Sequence, residues 1–173
     1  MKDQNSTKTE LTSNEIINQI MDDIEKIDIG RFDYHYIPFK SDFTKAMTAS
    51  ILQTSKRLNL RVVPEVEFEM PEIFRKTYKR KYGGIVDFII INPNGKDIAI
   101  ELDSSNKKAS YGKLQVLSQK GYDTFWIVWN RNTSGKPYPS SYKNDYSAKN
   151  LELGFTNENV NILRHTFHPT PKK

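Results

Sequence analysis

The chain contains no cysteine and no apolar stretch long enough to cross a membrane. Without cysteine, disulfide bonds, thiolate zinc sites and cysteine nucleophiles are all excluded. The opening residues, 1–9, are polar and lack the apolar segment that a signal peptide carries. We therefore expect an intracellular protein, located in the cytoplasm, that makes no contact with membranes.

Hydrophobic residues make up 36% of the 173 residues, a share below the usual one, but they are concentrated in short runs. The runs 84–91 and 98–102 are almost entirely apolar, as expected of strands that are covered on both faces. A real core is therefore expected inside polar surroundings. The net charge of +5 is compatible with an anionic partner such as nucleic acid, although it does not prove one.

The chain divides by composition into four segments. Thr12 and Glu15 have the spacing of a capping box, and isoleucines then recur at helical intervals, which predicts a helix over 13–29. This helix attaches to the core or, as the alternative, forms a dimer seam. The predicted segments are a disordered leader (1–12), a helix with its connector (13–40), an α/β core (41–130) and a polar C-terminal extension with a late strand near 160–167.

The core has the predicted order α-β-β-β-α-β. Asn92-Pro93-Asn94-Gly95 is a strong turn sequence, so the strands on either side of it form an antiparallel hairpin. We expect a mixed central sheet that is flanked by helices. The predicted elements are a helix (41–58), a strand (60–68), a connector (70–81), two strands (85–91 and 97–103), a helix (106–121) and a strand (124–129).

Three acidic residues interrupt or end the apolar strands. Asp87 lies within an apolar strand, where a carboxylate is costly unless it is paired or binds a metal. Glu101 and Asp103 are two residues apart and therefore point to the same face. A hairpin brings Asp87 close to them, and three carboxylates without cysteine or histidine suit Mg²⁺ or Mn²⁺. The alternative is that Asp87 accepts backbone hydrogen bonds while Glu101 and Asp103 end a solvated strand.

Basic residues are close to these acids in the sequence. Lys107, Lys108 and Lys113 follow the acidic strand, and a lysine there can stabilise charge that develops on a phosphate. Glu65 and Glu67, which share a face of the preceding strand, are candidates for an additional acid. A basic run in the connector could contact phosphates, or it could be a solvated loop; it contains Arg75, Lys76, Lys79, Arg80 and Lys81.

This pattern resembles the PD-(D/E)XK nuclease superfamily, which has the restriction-endonuclease-like fold. The resemblance is carried by Gly84-Ile85-Val86-Asp87-Phe88 and by Ile98-Ala99-Ile100-Glu101-Leu102-Asp103, and it covers about half of the chain. Within the superfamily, the chain is most similar to very-short-patch-repair and homing endonucleases. The resemblance implies that Asp87 and Glu101 bind a metal and that metal-activated water hydrolyses a DNA phosphodiester.

The sequence departs from the superfamily in two places. The named relatives often carry a histidine a few residues after the acidic strand, where this chain has Asn106 and Lys107. The superfamily lysine would fall where this chain has Asp103, so Lys107 or Lys108 is expected to replace it from the start of the next helix. The resemblance thus predicts a magnesium-dependent nuclease, which could act with a second copy or a partner protein. The alternative function is an inactive module with the nuclease fold that binds nucleic acid or a protein partner.

Overall fold

The computed structural model describes residues 10–28, 40–77, 83–104, 108–131 and 160–167. Its helices are α1 (Ser13–Glu25), α2 (Lys40–Arg57), α3 (Glu72–Thr77) and α4 (Lys108–Gln119). Its strands are β1 (Arg61–Phe68), β2 (Gly84–Ile91), β3 (Ile98–Asp103), β4 (Asp123–Arg131) and β5 (Val160–Phe167). Across these residues, no helix has the length and apolar content that a membrane span needs.

The five strands form one mixed sheet in the order β1-β2-β3-β4-β5. The pairs β1–β2 and β2–β3 are antiparallel, whereas the pairs β3–β4 and β4–β5 are parallel. The parallel step from β3 to β4 requires a crossover, and α4 supplies it. The predicted α/β class with a mixed sheet and flanking helices is therefore confirmed.

The turn between β2 and β3 is held by the side chains of Asn92 and Asp97. The backbone N–H of Asn92 donates to Asp97 Oδ1 (3.0 Å), and the N–H of Asn94 donates to Asn92 Oδ1 (3.2 Å). Such local side-chain hydrogen bonds are typical of tight turns rich in Asn and Gly. The antiparallel hairpin that the sequence predicts is present, and it sets Phe88 opposite Ile100.

Helices cover the sheet on both sides, and we call the two sides the α1/α2 face and the α4 face. On the α1/α2 face, isoleucines of α1 and Phe43 of α2 pack against Ile98, Ile100 and Trp129. The Phe43 ring stacks on Trp129, with 5.5 Å between the ring centroids. The main core therefore lies on this face, where every buried strand residue of β3 is apolar.

Side-chain alternation changes phase in the middle of β1 and β2. Val86 packs on the α4 face and Phe88 on the α1/α2 face, although residues two apart on a regular strand share a face. The same change occurs on β1, where Val62 packs on the α1/α2 face and Val66 on the α4 face. Glu65 lies between them with a positive φ of 49°. This irregularity divides the β1–β2 pair into two parts at the level of Asp87. In one part Val62 and Phe88 face α1 and α2, and in the other Val66 and Val86 face α4.

The observed elements differ from the sequence predictions in a few places. The capping box of Thr12 and Glu15 begins α1 as predicted, but the helix ends at Glu25 instead of residue 29. Part of the predicted connector 70–81 is the helix α3, which buries Phe74. The late strand is confirmed as β5. The predictions for residues 1–9, 29–39 and 132–159 lie outside the described residues.

Candidate active site

Glu101 is a buried acid on the α4 face that forms an ion pair with a lysine. Alternation along β3 turns Ala99, Glu101 and Asp103 toward α4, and only 2% of the Glu101 surface is exposed. Lys113, in the second turn of α4, has its Nζ 2.5 Å from Glu101 Oε1. The same Nζ donates a 2.6 Å hydrogen bond to the carbonyl oxygen of Ile85 on β2. One lysine therefore joins three elements around a buried carboxylate.

The environment of Glu101 changes its proton affinity. Burial raises the pKa of the Glu101 carboxyl to about 7, because the charged form loses hydration. The Lys113 ammonium opposes this shift, whereas the negative charges of Asp87 and Asp103 add to it. The two aspartates are thus electrostatic neighbours of Glu101. Raised carboxyl pKa values of this kind occur at functional sites and also in structural ion-pair networks.

The Asp87 side chain accepts a backbone hydrogen bond from β3 where the regular pairing of the two strands has ended. The regular pairing of β2 with β3 stops at Phe88 and Ile100. Beyond that point the N–H of Leu102 donates to Asp87 Oδ2 at 2.7 Å. The Asp87 side chain also lines a cleft of about 350 Å³ together with Thr44, Thr48 and Glu65. The hydrogen bond from β3 therefore fixes one oxygen of the Asp87 carboxylate, and the side chain lies at the edge of the cleft.

Asp103 is engaged in a different way. It is 3% exposed, and its Oδ2 accepts a 2.9 Å hydrogen bond from the indole Nε1 of Trp126 on β4. The parallel register of β3 and β4 brings the two side chains together, since Glu101 pairs with Trp126 and Asp103 with Val128. This hydrogen bond satisfies a buried indole donor and uses one oxygen of the Asp103 carboxylate.

The sequence predicts that Asp87, Glu101 and Asp103 bind one divalent cation. Their charges influence one another, but no three acidic or histidine side chains within the described residues are arranged as a ready ligand set. Asp87 and Glu101 nevertheless fit a hard cation in donor chemistry, because both are carboxylates and Glu101 is buried beside a single compensating charge. Asp103 fits less well, since Trp126 binds one of its oxygens.

Glu65 and Glu67 do not share a face, contrary to the prediction from regular strand alternation. The positive φ of Glu65 interrupts the alternation between them. Glu65 lines the cleft that contains Asp87, whereas Glu67 lines a separate cleft with Arg75 and Ile85. Of the two candidates for an additional acid, only Glu65 is therefore beside Asp87.

The predicted basic residues have different outcomes. Arg75 lines the cleft of Glu67, and Lys76 forms an exposed ion pair with Glu72, with 2.8 Å between Nζ and Oε1. Lys113, a predicted nucleic-acid contact, pairs with Glu101, and its contact with nucleic acid stays a prediction. The remaining predictions fall outside the described residues (Lys79, Arg80, Lys81 and Lys107) or on a side chain that the structure does not describe (Lys108).

Sequence reasoning missed two partnerships in this site. The pairing of Lys113 with Glu101 depends on how α4 lies across the sheet, which a single sequence does not encode locally. The bond from Trp126 to Asp103 depends on the register of two parallel strands. One signal was available for the second, because a buried tryptophan N–H usually needs an acceptor and Asp103 lies on a neighbouring strand.

Comparison with known proteins gives no relative. No family model matches the chain, and no curated protein and no solved structure matches it. Any assignment of function therefore depends on the residues of the site themselves.

Proposed function

We propose that this chain is a magnesium-dependent nuclease with a restriction-endonuclease-like core that hydrolyses phosphodiester bonds of DNA. The observation that carries the proposal is the buried pair of Glu101 and Lys113 next to Asp87, at the point where β2 and β3 separate. We further propose the cytoplasm as its location, and a second copy or a partner protein as the means of cutting both strands of a duplex.

Lys113 takes over the role of the lysine that is missing at position 103. The ammonium group of a lysine in this role must lie beside the metal-binding acids and must reach the substrate phosphate. Lys113 meets the first requirement, because its Nζ touches Glu101. It is the best candidate among the described lysines, whereas Lys107 and Lys108 stay predictions.

Asp87 and Glu101 would hold the cation, with Glu65 as a further candidate from the same cleft as Asp87. A bound Mg²⁺ supplies Lewis acidity and a water molecule of lowered pKa. Leu102 N–H fixes one oxygen of Asp87, so the carboxylate is oriented before a ligand arrives. Lys113 neutralises Glu101 in the absence of a cation, and its ammonium group is then available to the phosphate when a cation takes over that task.

Plasmid cleavage tests the proposal. Supercoiled plasmid is incubated with the parent chain in Mg²⁺, in Mn²⁺ and in chelator, beside Asp87→Asn and Lys113→Met. We expect metal-dependent nicking that falls by at least about 100-fold in both variants, the size of effect typical for the loss of one electrostatic catalytic group. The matched controls are Glu25→Gln and Lys56→Met, which remove exposed charges on α1 and α2. Equal nicking by Asp87→Asn and the parent would reject the site.

A second candidate function is a module with the nuclease fold that binds nucleic acid without cutting it. Two observations favour it: Asp103 is bound to Trp126, and Glu101 is already neutralised by Lys113. This candidate predicts binding that weakens as salt rises, with no metal-dependent products. Nicking that chelation abolishes and added Mg²⁺ restores would exclude it.

A further inference from the structure

A second cleft lies next to the candidate active site, where β1 ends and β2 begins. Its volume is about 410 Å³. Phe68, Met70 and Ile85 provide apolar surface, and Glu67, Glu69 and Arg75 provide polar groups. The change of phase at Glu65 creates this arrangement, because it turns Glu67 away from the cleft of Asp87 and sets it opposite Ile85 in the strand register.

Ile85 connects this cleft to the candidate active site. Its carbonyl oxygen accepts the hydrogen bond from Lys113, the partner of Glu101, while its side chain lines the cleft. The side chain is 47% exposed, which makes it one of three large apolar side chains exposed to this degree among the described residues. A residue that provides apolar surface in the cleft is therefore hydrogen-bonded directly to Lys113, the lysine that we assign to the phosphate.

The polar groups of the cleft restrict what it can bind. Two exposed carboxylates, Glu67 and Glu69, repel a phosphate group but accept hydrogen bonds from amino and imino groups. Arg75 supplies a planar guanidinium, which donates to carbonyl and ring-nitrogen acceptors and stacks on flat rings. Its buried Nε has no hydrogen-bond partner within the described part of the chain. The ligand that combines apolar faces with donors and acceptors at its edges is a nucleobase.

We propose that this cleft receives one unstacked nucleobase of the substrate strand, next to the phosphate that is cut. The proposal rests on the proposed nuclease function for the identity of its ligand, and it adds that the substrate is single-stranded or locally opened at this position. A base in the cleft would lie against Ile85, with its edge toward Arg75 and the glutamates. The flanking phosphate would then be on the side of Lys113.

The first test compares two isoleucines of similar exposure. Ile85 lines the cleft, whereas Ile73, 50% exposed on α3, does not. Binding of a fluorescent single-stranded oligonucleotide to the full chain is measured in chelator, so that no cleavage is needed. We expect Ile85→Ser to weaken binding about tenfold, the loss expected when an apolar side chain no longer covers one face of a base, and Ile73→Ser to leave it unchanged. Arg75→Met should likewise weaken binding about tenfold, whereas the control Lys56→Met, on the exposed side of α2, should leave it unchanged.

The second test locates the base. Oligonucleotides that each carry one abasic site are bound by the parent and by Ile85→Ser, and circular dichroism verifies that each variant is folded. We expect one abasic position to weaken parent binding about tenfold and to add nothing to the loss in Ile85→Ser, because both changes remove the same contact. Equal binding by Ile85→Ser and Ile73→Ser, or a preference for intact duplex, would overturn the proposal.

These outcomes separate the cleft from the nuclease. Metal-dependent cleavage with no difference between the two isoleucine variants would retain the nuclease and reject the base cleft. Oligonucleotide binding that depends on Ile85, with no cleavage in Mg²⁺ or Mn²⁺, would retain the cleft and reject the nuclease. The absence of any oligonucleotide binding would overturn the base cleft itself.

Discussion

On the α1/α2 face of the sheet, β3 buries Ile98, Ile100 and Leu102, whereas on the α4 face the same strand buries Ala99, Glu101 and Asp103. Six consecutive residues thus contribute a purely apolar row to one side and two carboxylates to the other. Buried charge lowers stability unless it is compensated, and the compensation on the α4 face consists of Lys113 and Trp126. We infer that the apolar row of β3 supplies stability, whereas its two carboxylates, together with Asp87 of β2, supply the chemistry.

The largest expected effect on stability comes from the α1/α2 face. Trp129 is fully buried there and contacts the rings of Phe43 and Phe167. Trp129→Ala should lower the free energy of unfolding by about 3–5 kcal/mol, the range for truncation of a large buried aromatic side chain. Urea unfolding followed by circular dichroism measures this change. A loss below about 1 kcal/mol would contradict the assignment of the main core to this face.

The α4 face should instead respond to pH. The pKa of Glu101 is raised from 4.5 to about 7 in the folded chain, chiefly by burial. The folded state therefore holds this proton more tightly than the unfolded state does. The resulting stabilisation is complete below pH 4.5 and is lost as pH rises through 7, with a change of about 3 kcal/mol for a shift of this size. Glu101→Gln should remove that pH dependence.

The measurement for this prediction is urea unfolding of both proteins at a series of pH values between 4.5 and 8. The parent should lose stability across this window, whereas the variant should stay nearly constant. A divalent cation that binds the ionised carboxylate would reverse part of the loss at pH 8. Parallel curves for the two proteins would show that Glu101 titrates as an ordinary carboxyl.

The smallest expected effect on stability comes from Asp23, an acid of α1 that bonds to α2. Hydrogen bonds from Thr54, Arg57 and Lys26 lower the pKa of Asp23 to about 2. Its contribution is therefore present above pH 3.8 and is lost as pH falls through 2, the opposite sign to that of Glu101. Because this network is partly exposed, Asp23→Asn should cost less than about 1 kcal/mol at pH 7. Acid unfolding of the variant, beside the control Asp22→Asn, measures the difference.

The sequence predicts the elements of this fold better than it predicts the site. The apolar runs and the turn at Asn94-Gly95 define β2 and β3 to within one residue, because burial on both faces and turn chemistry are local signals. The helix α3 was missed, because its six residues show too little periodicity to distinguish a helix from a loop.

The site itself depends on relations that are not local. Glu101 and Asp103 were placed on one face by alternation, and this is correct because β3 is regular. Alternation failed for Glu65 and Glu67, because the positive φ of Glu65 cannot be read from a glutamate. The choice of Lys113 over its neighbours depends on the angle at which α4 crosses the sheet, which is set by the packing of Leu114 and Leu117.

The central claim is that Glu101, buried on the α4 face, serves the proposed chemistry and lowers stability when it is ionised, and one variant tests both parts. Glu101→Gln is compared with the parent at pH 8 for its free energy of unfolding and for magnesium-dependent nicking of plasmid. We predict that nicking falls by at least about 100-fold while the variant is as stable as the parent or more so. Nicking at the parental rate, or a loss of nicking matched by a loss of stability, would contradict the claim.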